Sequence, residues 1–404
     1  MRLSDRGEAL LASSPMPRYL LAHFERAHDR WSPENPAGYV PLCVAENGLS
    51  SEQLSARLDA VRVPPGALSY QPMTGSLSFR EALSAFLGPR LLGRVLSPED
   101  LVVLAGAGSV LEQLFHVLAD PGDAVLVPTP SYAGFWADLE TRDGLHVVPV
   151  PRSPEDGWAL STDALDAALE ASERPVKALL FTHPDNPLGR VASADELDAL
   201  LDWGRRRGVH VVFDEVYGLS TFGDAPFVSA ASRPGWGEHA HVVWAFSKDF
   251  GASGLRCGVL ASGSERVTAA VGELAYWAAV SGDTQARLEA VLRDEDGVDA
   301  WLHANRRRLG EASAAVSEAL AELGVRTEPA GAGFFLWCDL RPWLTEPDFA
   351  AEEALWERLL DHGVNLTPGL ACRAPEPGWF RLCFAALPRD GVLEGVRRVG
   401  AVLG

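Results

Sequence analysis

Between residues 100 and 247 the chain alternates short apolar, β-branched runs with amphipathic stretches, and this rhythm restricts the possible folds most. The runs are LVVLAG (101–106), DAVLVP (123–128), LHVVPV (145–150), VKALLFT (176–182), VHVVFDE (209–215) and HVVWAFS (241–247). Helical patterns follow them, beginning near Ser109 and Tyr132, running through Leu165–Leu169, and covering ADELDALLDWGRRRG. Strands alternating with helices predict an α/β fold with a mostly parallel sheet covered on both faces. The nearly unbroken apolar character of the strands agrees with that burial. Ahead of this region, residues 1–45 read as an irregular arm with a short helix, punctuated by Pro15, Pro17, Pro33, Pro36 and Pro41. A helix from about Gly75 to Leu87 follows. Beyond residue 260 the alternation is lost. Helical stretches at 264–280 and 284–321 lead to GVRTEPA, GFFLWCDL, a helix at 350–362, the strand GWFRLCFA and a helix near 391–402. The expected division is an arm (1–45) belonging partly to a small domain, a large domain (46–285) and a smaller α+β domain (286–404).

Charge and composition exclude several roles. The formal net charge of −20 leaves no basic footprint for nucleic acid. No run approaches the ~18 apolar residues of a membrane span, and the N-terminus lacks a signal-peptide core, so a cytoplasmic protein is expected. The cysteines, Cys43, Cys257, Cys338, Cys372 and Cys383, show neither metal-ligand nor CxxC spacing and read as buried free thiols, with no metal implied. Lysine occurs only at Lys177 and Lys248, the other cationic side chains being arginine, as a GC-rich genome would give. Chemistry that needs an amine therefore has two candidates.

Ligands of open α/β sheets bind at the carboxyl ends of strands, where Gly106–Ser109, Tyr132, Asn186, Asp214, Tyr217 and Lys248 each follow an apolar run. Lys248 ends such a run in AFSKDFGASGLRCG. A buried amine is costly unless neutralised, and a Schiff base with an aldehyde both neutralises and uses it; the plain alternative is an exposed loop lysine. Asp214, in VVFDEVYG, would pair with a buried cation such as a pyridinium nitrogen, with Glu215 competing for the role and a helix cap as the plain alternative. Tyr217 and Asn186 could reach a phenolate oxygen on such a ring, or be a packing tyrosine and a turn residue in HPDNPLGR. Tyr132, in PTPSYAGF, could stack on the ring or belong to the core. AGAGS (105–109), with Ala107, Gly108 and Ser109, joins a strand to a helix and offers amides to a phosphate, for which Arg256 would be the charge partner. Arg381 lies inside the apolar strand GWFRLCFA and needs an anion, either a substrate carboxylate or a structural partner.

Asn186, Asp214, Tyr217, Lys248, Arg256 and Arg381, in that order, resemble the pyridoxal-5′-phosphate (PLP) enzymes of fold type I, class I/II aminotransferase family. Four segments are similar to 1-aminocyclopropane-1-carboxylate (ACC) synthases within it: VAENGL (44–49), VPTPSYAGFWADL (127–139), SKDFGASGLRCG and EPGWFRLCFA (376–385). The resemblance implies an aspartate-aminotransferase-like fold whose large domain carries a seven-stranded sheet. It implies PLP on Lys248, with Ala107, Gly108, Ser109, Tyr132, Asn186, Asp214, Tyr217, Ser247, Arg256 and Tyr70 around it. It places the substrate against Arg381, Glu46, Ala45, Tyr70 and Asn186. The implied substrate is S-adenosylmethionine, with Lys248 removing the α-proton and methylthioadenosine leaving Cγ. Tyr70 resembles a tyrosine that reaches the neighbouring subunit, which implies a homodimer. Ala245 stands where the family usually has a phosphate-binding serine, and Gly108 where ACC synthases have a threonine. The sequence thus points to an S-adenosylmethionine-using lyase or Cγ-substitution enzyme of bacterial natural-product biosynthesis, with a second small molecule capturing the four-carbon unit in the latter case. The alternatives are an L-amino-acid aminotransferase and, more remotely, a PLP-sensing regulatory protein.

Overall fold

A computed structural model describes residues 2–404. Its centre is a seven-stranded sheet: β1 (Leu101–Leu104), β2 (Ala124–Thr129), β3 (His146–Pro151), β4 (Val176–Thr182), β5 (His210–Asp214), β6 (Ala240–Ala245) and β7 (Gly258–Ser262). The spatial order is β1-β7-β6-β5-β4-β2-β3. Every pairing is parallel except those of β7, which runs antiparallel to both β1 and β6. Alternate residues enter opposite cores. Val103, Leu126, Leu179, Val211 and Val242 pack on one face; Val102, Val125, Ala178, Val212 and Val243 pack on the other. Apolar strands without a polar phase are the result of that double coverage.

Local chemistry sets the covering helices. Ser193 caps Ala194–Arg207 by accepting from the Glu196 amide; Asp195 and Glu196 occupy the first turn, Arg205, Arg206 and Arg207 the last, and Gly208 closes it with φ +67°. Each charge lies where the helix dipole favours it, and glycine takes the left-handed position without steric penalty.

The C-terminal part of the chain builds a second layer. A four-stranded antiparallel sheet, ordered Thr367–Pro368, Trp379–Cys383, Phe335–Asp339 and Arg326–Thr327, packs with the helices Glu295–Glu322, Phe349–Asp361 and Arg389–Leu403. The N-terminal segment joins this layer, because Val40–Pro41 pairs in parallel with Val364–Asn365.

Several elements differ from the sequence reading, among them a helix at Ser51–Asp59 that it had not marked. The seventh strand, Gly258–Ser262, lies in a run the residues alone had not marked. The stretch read as one helix over 284–321 is two, Gly282–Arg293 and Glu295–Glu322; Asp294 leaves helical geometry between them and caps the second by accepting from Gly297. The arm holds two helices, Asp5–Ala12 and Arg18–Arg26. All five cysteines are free and buried. Among the described residues no helix is long and apolar enough to cross a membrane.

Candidate active site

Lys248 lies on the short helix Phe246–Asp249 that follows β6. The next residue locks this turn. Asp249 is buried and accepts from Ser220 Oγ at 2.6 Å, Trp244 Nε1 at 2.8 Å and the Leu219 amide at 3.0 Å. Lys248 Nζ donates to the carbonyl of Ala45 at 2.7 Å. Burial, reinforced by the positive charge of Arg381, lowers its pKa to about 8. The other lysine, Lys177, is partly exposed, 4.0 Å from Asp123. Lys248 is thus the amine that can be neutral near physiological pH.

Asp214, the last residue of β5, faces this amine from a buried position. Burial raises its pKa to about 7, against the Val216 amide and the charge of Lys248. Glu215 points away, accepting from the Ala230 amide at 2.8 Å. Burial raises its pKa to about 8. Of the two adjacent acids, Asp214 faces the amine because alternate residues of a strand face opposite ways.

Asn186 joins two further groups. Its Nδ2 donates to Tyr217 Oη at 3.1 Å, and its Oδ1 accepts from Arg381 Nη1 at 3.0 Å. Arg381 Nη2 donates to the carbonyl of Cys43 at 2.7 Å and to Thr367 Oγ1 at 3.1 Å. The guanidinium lies 4.7 Å over the ring of Phe335. Its Nε has no partner, and none of its hydrogen bonds ends on a carboxylate. A fully buried guanidinium held only by neutral oxygens is set to receive an anion, and the structural ion pair considered from sequence is not made.

At the end of β1, Gly106 takes φ +94° and caps the helix Ala107–Leu118. The first-turn amides of Ala107, Gly108 and Ser109 have no partners within the helix; Ser109 Oγ donates back to the Ala105 carbonyl at 3.2 Å. Arg256, at φ +49°, folds against this loop, with Nη1 on the Ser253 carbonyl at 3.1 Å and Nη2 on the Ala105 carbonyl at 3.4 Å. A Cβ on Gly106 would stand 2.5 Å from Arg256 Nη2, so glycine is required for the approach. Arg256 and the start of the helix Ala107–Leu118 therefore lie side by side. Ser247 is buried in the lysine's own turn, and Ala245, the end of β6, offers no hydroxyl.

Tyr132 folds back over Gly134, whose Cβ would meet the ring, and stands edge-on to Phe135 with centroids 5.2 Å apart. Glu46 accepts from Ser253 Oγ at 3.3 Å. Its charge reaches Lys248. Tyr70 is the exception: 97% exposed, it is separate from the other residues within this chain.

Several contributors had no mark in the sequence. Thr367 and the Cys43 carbonyl reach Arg381 only through strand pairing and chain return, Thr367 lying opposite Arg381 in the register. Tyr19, from the arm, lies near enough for Arg381 and Tyr132 to act on its phenol. Asp249 could have been suspected as an acid inside an apolar turn.

The model of aminotransferase class I and II matches residues 40–399. The chain belongs to that family. Relatives within it include ACC synthase 1 of Oryza sativa subsp. indica, 35% identical over 91% of this chain and 81% of that one. ACC synthase 3 of Solanum lycopersicum is 34% identical over 91% and 83%. ACC synthase 3 of Oryza sativa subsp. japonica is 34% identical over 97% of each. Among solved structures, aspartate aminotransferase from Thermus thermophilus with maleate superimposes with a TM-score of 0.84 at 24% identity, covering all of both chains. An aromatic aminotransferase from Pyrococcus horikoshii OT3 gives 0.79 at 24% identity over 92% and 96%. These two establish the aspartate-aminotransferase-like fold. The cofactor of this class I and II family is PLP. The chain's donor set fits it: a buried amine, a carboxylate facing that amine, and a glycine-opened helix start beside an arginine.

Proposed function

We propose that this PLP enzyme acts on S-adenosylmethionine, removing the α-proton and releasing methylthioadenosine from Cγ. The observation that carries the reading is the bond from Lys248 Nζ to the Ala45 carbonyl. It sets the amine against the AENGL segment, which resembles ACC synthases and includes Glu46. Relatives about 35% identical bear that name, which supports it.

When bound, PLP supplies an electron sink for charge developing at the substrate's α-carbon. Arg381 holds the α-carboxylate, its Nε and Phe335-backed face being free of any acid. Asn186 links Arg381 to Tyr217, so one amide would relate a bound carboxylate to the cofactor's ring oxygen. Asp214 balances a positive charge on the ring nitrogen from a buried site, where such a pairing is strengthened. Ala107, Gly108, Ser109, Arg256 and Ser247 would hold the phosphate. Lys248, its pKa near 8, takes the α-proton. Glu46 would supply negative charge toward the departing sulfonium, and Tyr132 would stack on the cofactor ring. In the Cγ-substitution form of the reaction a second small molecule takes up the four-carbon unit. The molecule works as a homodimer, with Tyr70 (97% exposed) and Trp277 (75% exposed) in the contact between copies.

Incubation with S-adenosylmethionine tests this. Methylthioadenosine release is the expected result. Conversion of the cofactor to pyridoxamine phosphate by a common amino acid, with no methylthioadenosine, would establish an aminotransferase instead.

A further inference from the structure

A buried ion pair joins the two turns that carry Tyr132 and Asn186. Arg152 follows β3 and Asp185 follows β4, and each is only 5% exposed. Arg152 Nη1 donates to Asp185 Oδ2 at 2.6 Å, and Nη2 donates to the carbonyl of Pro130 at 2.6 Å. The amide of Arg152 donates to the Thr129 carbonyl at 2.9 Å. Pro130 stands two residues before Tyr132, and Ser131 between them donates its amide to the Cys372 carbonyl at 2.9 Å. Asp185 directly precedes Asn186. Its Oδ1 accepts from the Leu188 amide at 3.5 Å. Its backbone closes the turn: the Gly189 amide donates to its carbonyl, and its own amide donates to the Arg190 carbonyl, both at 2.9 Å. The loop after Arg152 returns to the pair. Trp158, buried at φ +60°, offers its carbonyl to Arg152 Nη1 at 3.4 Å. A charge pair taken out of water stabilises a fold little or not at all relative to apolar residues of like volume. It does fix geometry, because the donors of a guanidinium point in set directions.

We propose that Arg152 and Asp185 are positioning residues for the cofactor, setting the separation between Tyr132 over the ring's face and Asn186 at its oxygen edge. The proposal rests on the places given above to those two residues. Both members of the pair act through the chain: Arg152 through the Pro130 carbonyl, Asp185 through the turn that presents Asn186. Asn186 in turn bonds to Tyr217 and Arg381, so the frame extends from the ring oxygen to the guanidinium. Its loosening has a defined sign. A donor at the ring oxygen favours the form of the lysine-bound cofactor that has lost its proton, because the negative charge on that oxygen is then unshared. Displacing Asn186 therefore raises the pH at which the visible band changes.

Spectroscopic pH titration of the PLP-loaded protein tests this. The variants are Arg152→Met with Asp185→Leu, Asp185→Asn alone, and Asn186→Ala as the reference. PLP affinity and urea midpoints are measured on the same samples. The paired apolar substitution should keep the urea midpoint. Its visible band should titrate about half a pH unit higher or more, with PLP bound about threefold more weakly. Asp185→Asn keeps the shape and removes the charge, so it should shift the band the same way, and it carries the test if the doubly substituted chain does not fold. A lowered urea midpoint with wild-type titration and PLP affinity would make the pair structural only and overturn the inference. Values unchanged throughout would overturn it as well. A shift in Asn186→Ala without one in the pair variants rejects the inference alone. No shift in Asn186→Ala rejects the place given to Asn186 at the ring, and the inference falls with it.

Discussion

At the level of single residues, the site is organised by burial. Burial pushes the pKa values of Lys248 and Asp214 toward each other, to about 8 and about 7. Lys248→Ala should abolish the visible absorbance of the lysine-bound cofactor and lower kcat by roughly 10²–10⁴-fold, as loss of a general base does; spectra and initial rates check both. Arg381→Ala should raise the KM of the amino-acid substrate by one to two orders of magnitude, about 1.5–3 kcal/mol for a lost charged hydrogen bond, while the cofactor spectrum stays. Asp214 also has a consequence for apoprotein stability. Its folded pKa is raised above the unfolded value of about 4, so its contribution is fully present below that value and lost as pH rises through about 7. The urea midpoint of apo Asp214→Asn should therefore fall less between pH 5 and pH 8 than that of the wild type. The slope should diminish rather than vanish, because buried Glu215, Asp249 and Glu352 are raised in the same direction.

At the level of elements, strands and their carboxyl ends could be read because double burial leaves long β-branched runs with one polar residue after each. Lys248, Asp214 and Arg381 could be found that way, since each ends or breaks an apolar run, and Asn186 by its turn just beyond one. The strand Gly258–Ser262 escaped because it follows directly on the lysine loop, where glycines suggest only a turn. The break at Asp294 escaped because amphipathic periodicity continues across it. Thr367 and Tyr19 could not have been found at all: their roles arise from pairing and from the return of a distant arm. Gly106 offers a direct check on the phosphate end. With φ +94° and Arg256 Nη2 at 2.5 Å from any added Cβ, Gly106→Ala should weaken PLP binding at least tenfold, measured by cofactor titration, while circular dichroism stays native.

At the level of the whole molecule, exposed Leu68, Tyr70, Tyr276 and Trp277 mark a surface too apolar for ordinary solvent contact. Trp277→Glu should shift sedimentation toward the single-chain mass; an unchanged sedimentation coefficient would remove that surface from any contact between copies. The two layers are also tied together in an instructive way. Val40–Pro41 is bonded to Val364–Asn365 of the C-terminal layer, and the carbonyl of Ala45, a few residues on, accepts a hydrogen bond from Lys248, on the turn that follows the central sheet. Asn186 and Arg381 bridge the same seam, so the spacing between amine and guanidinium is set by both layers at once, and a substitution that shifts either layer alone reaches both groups.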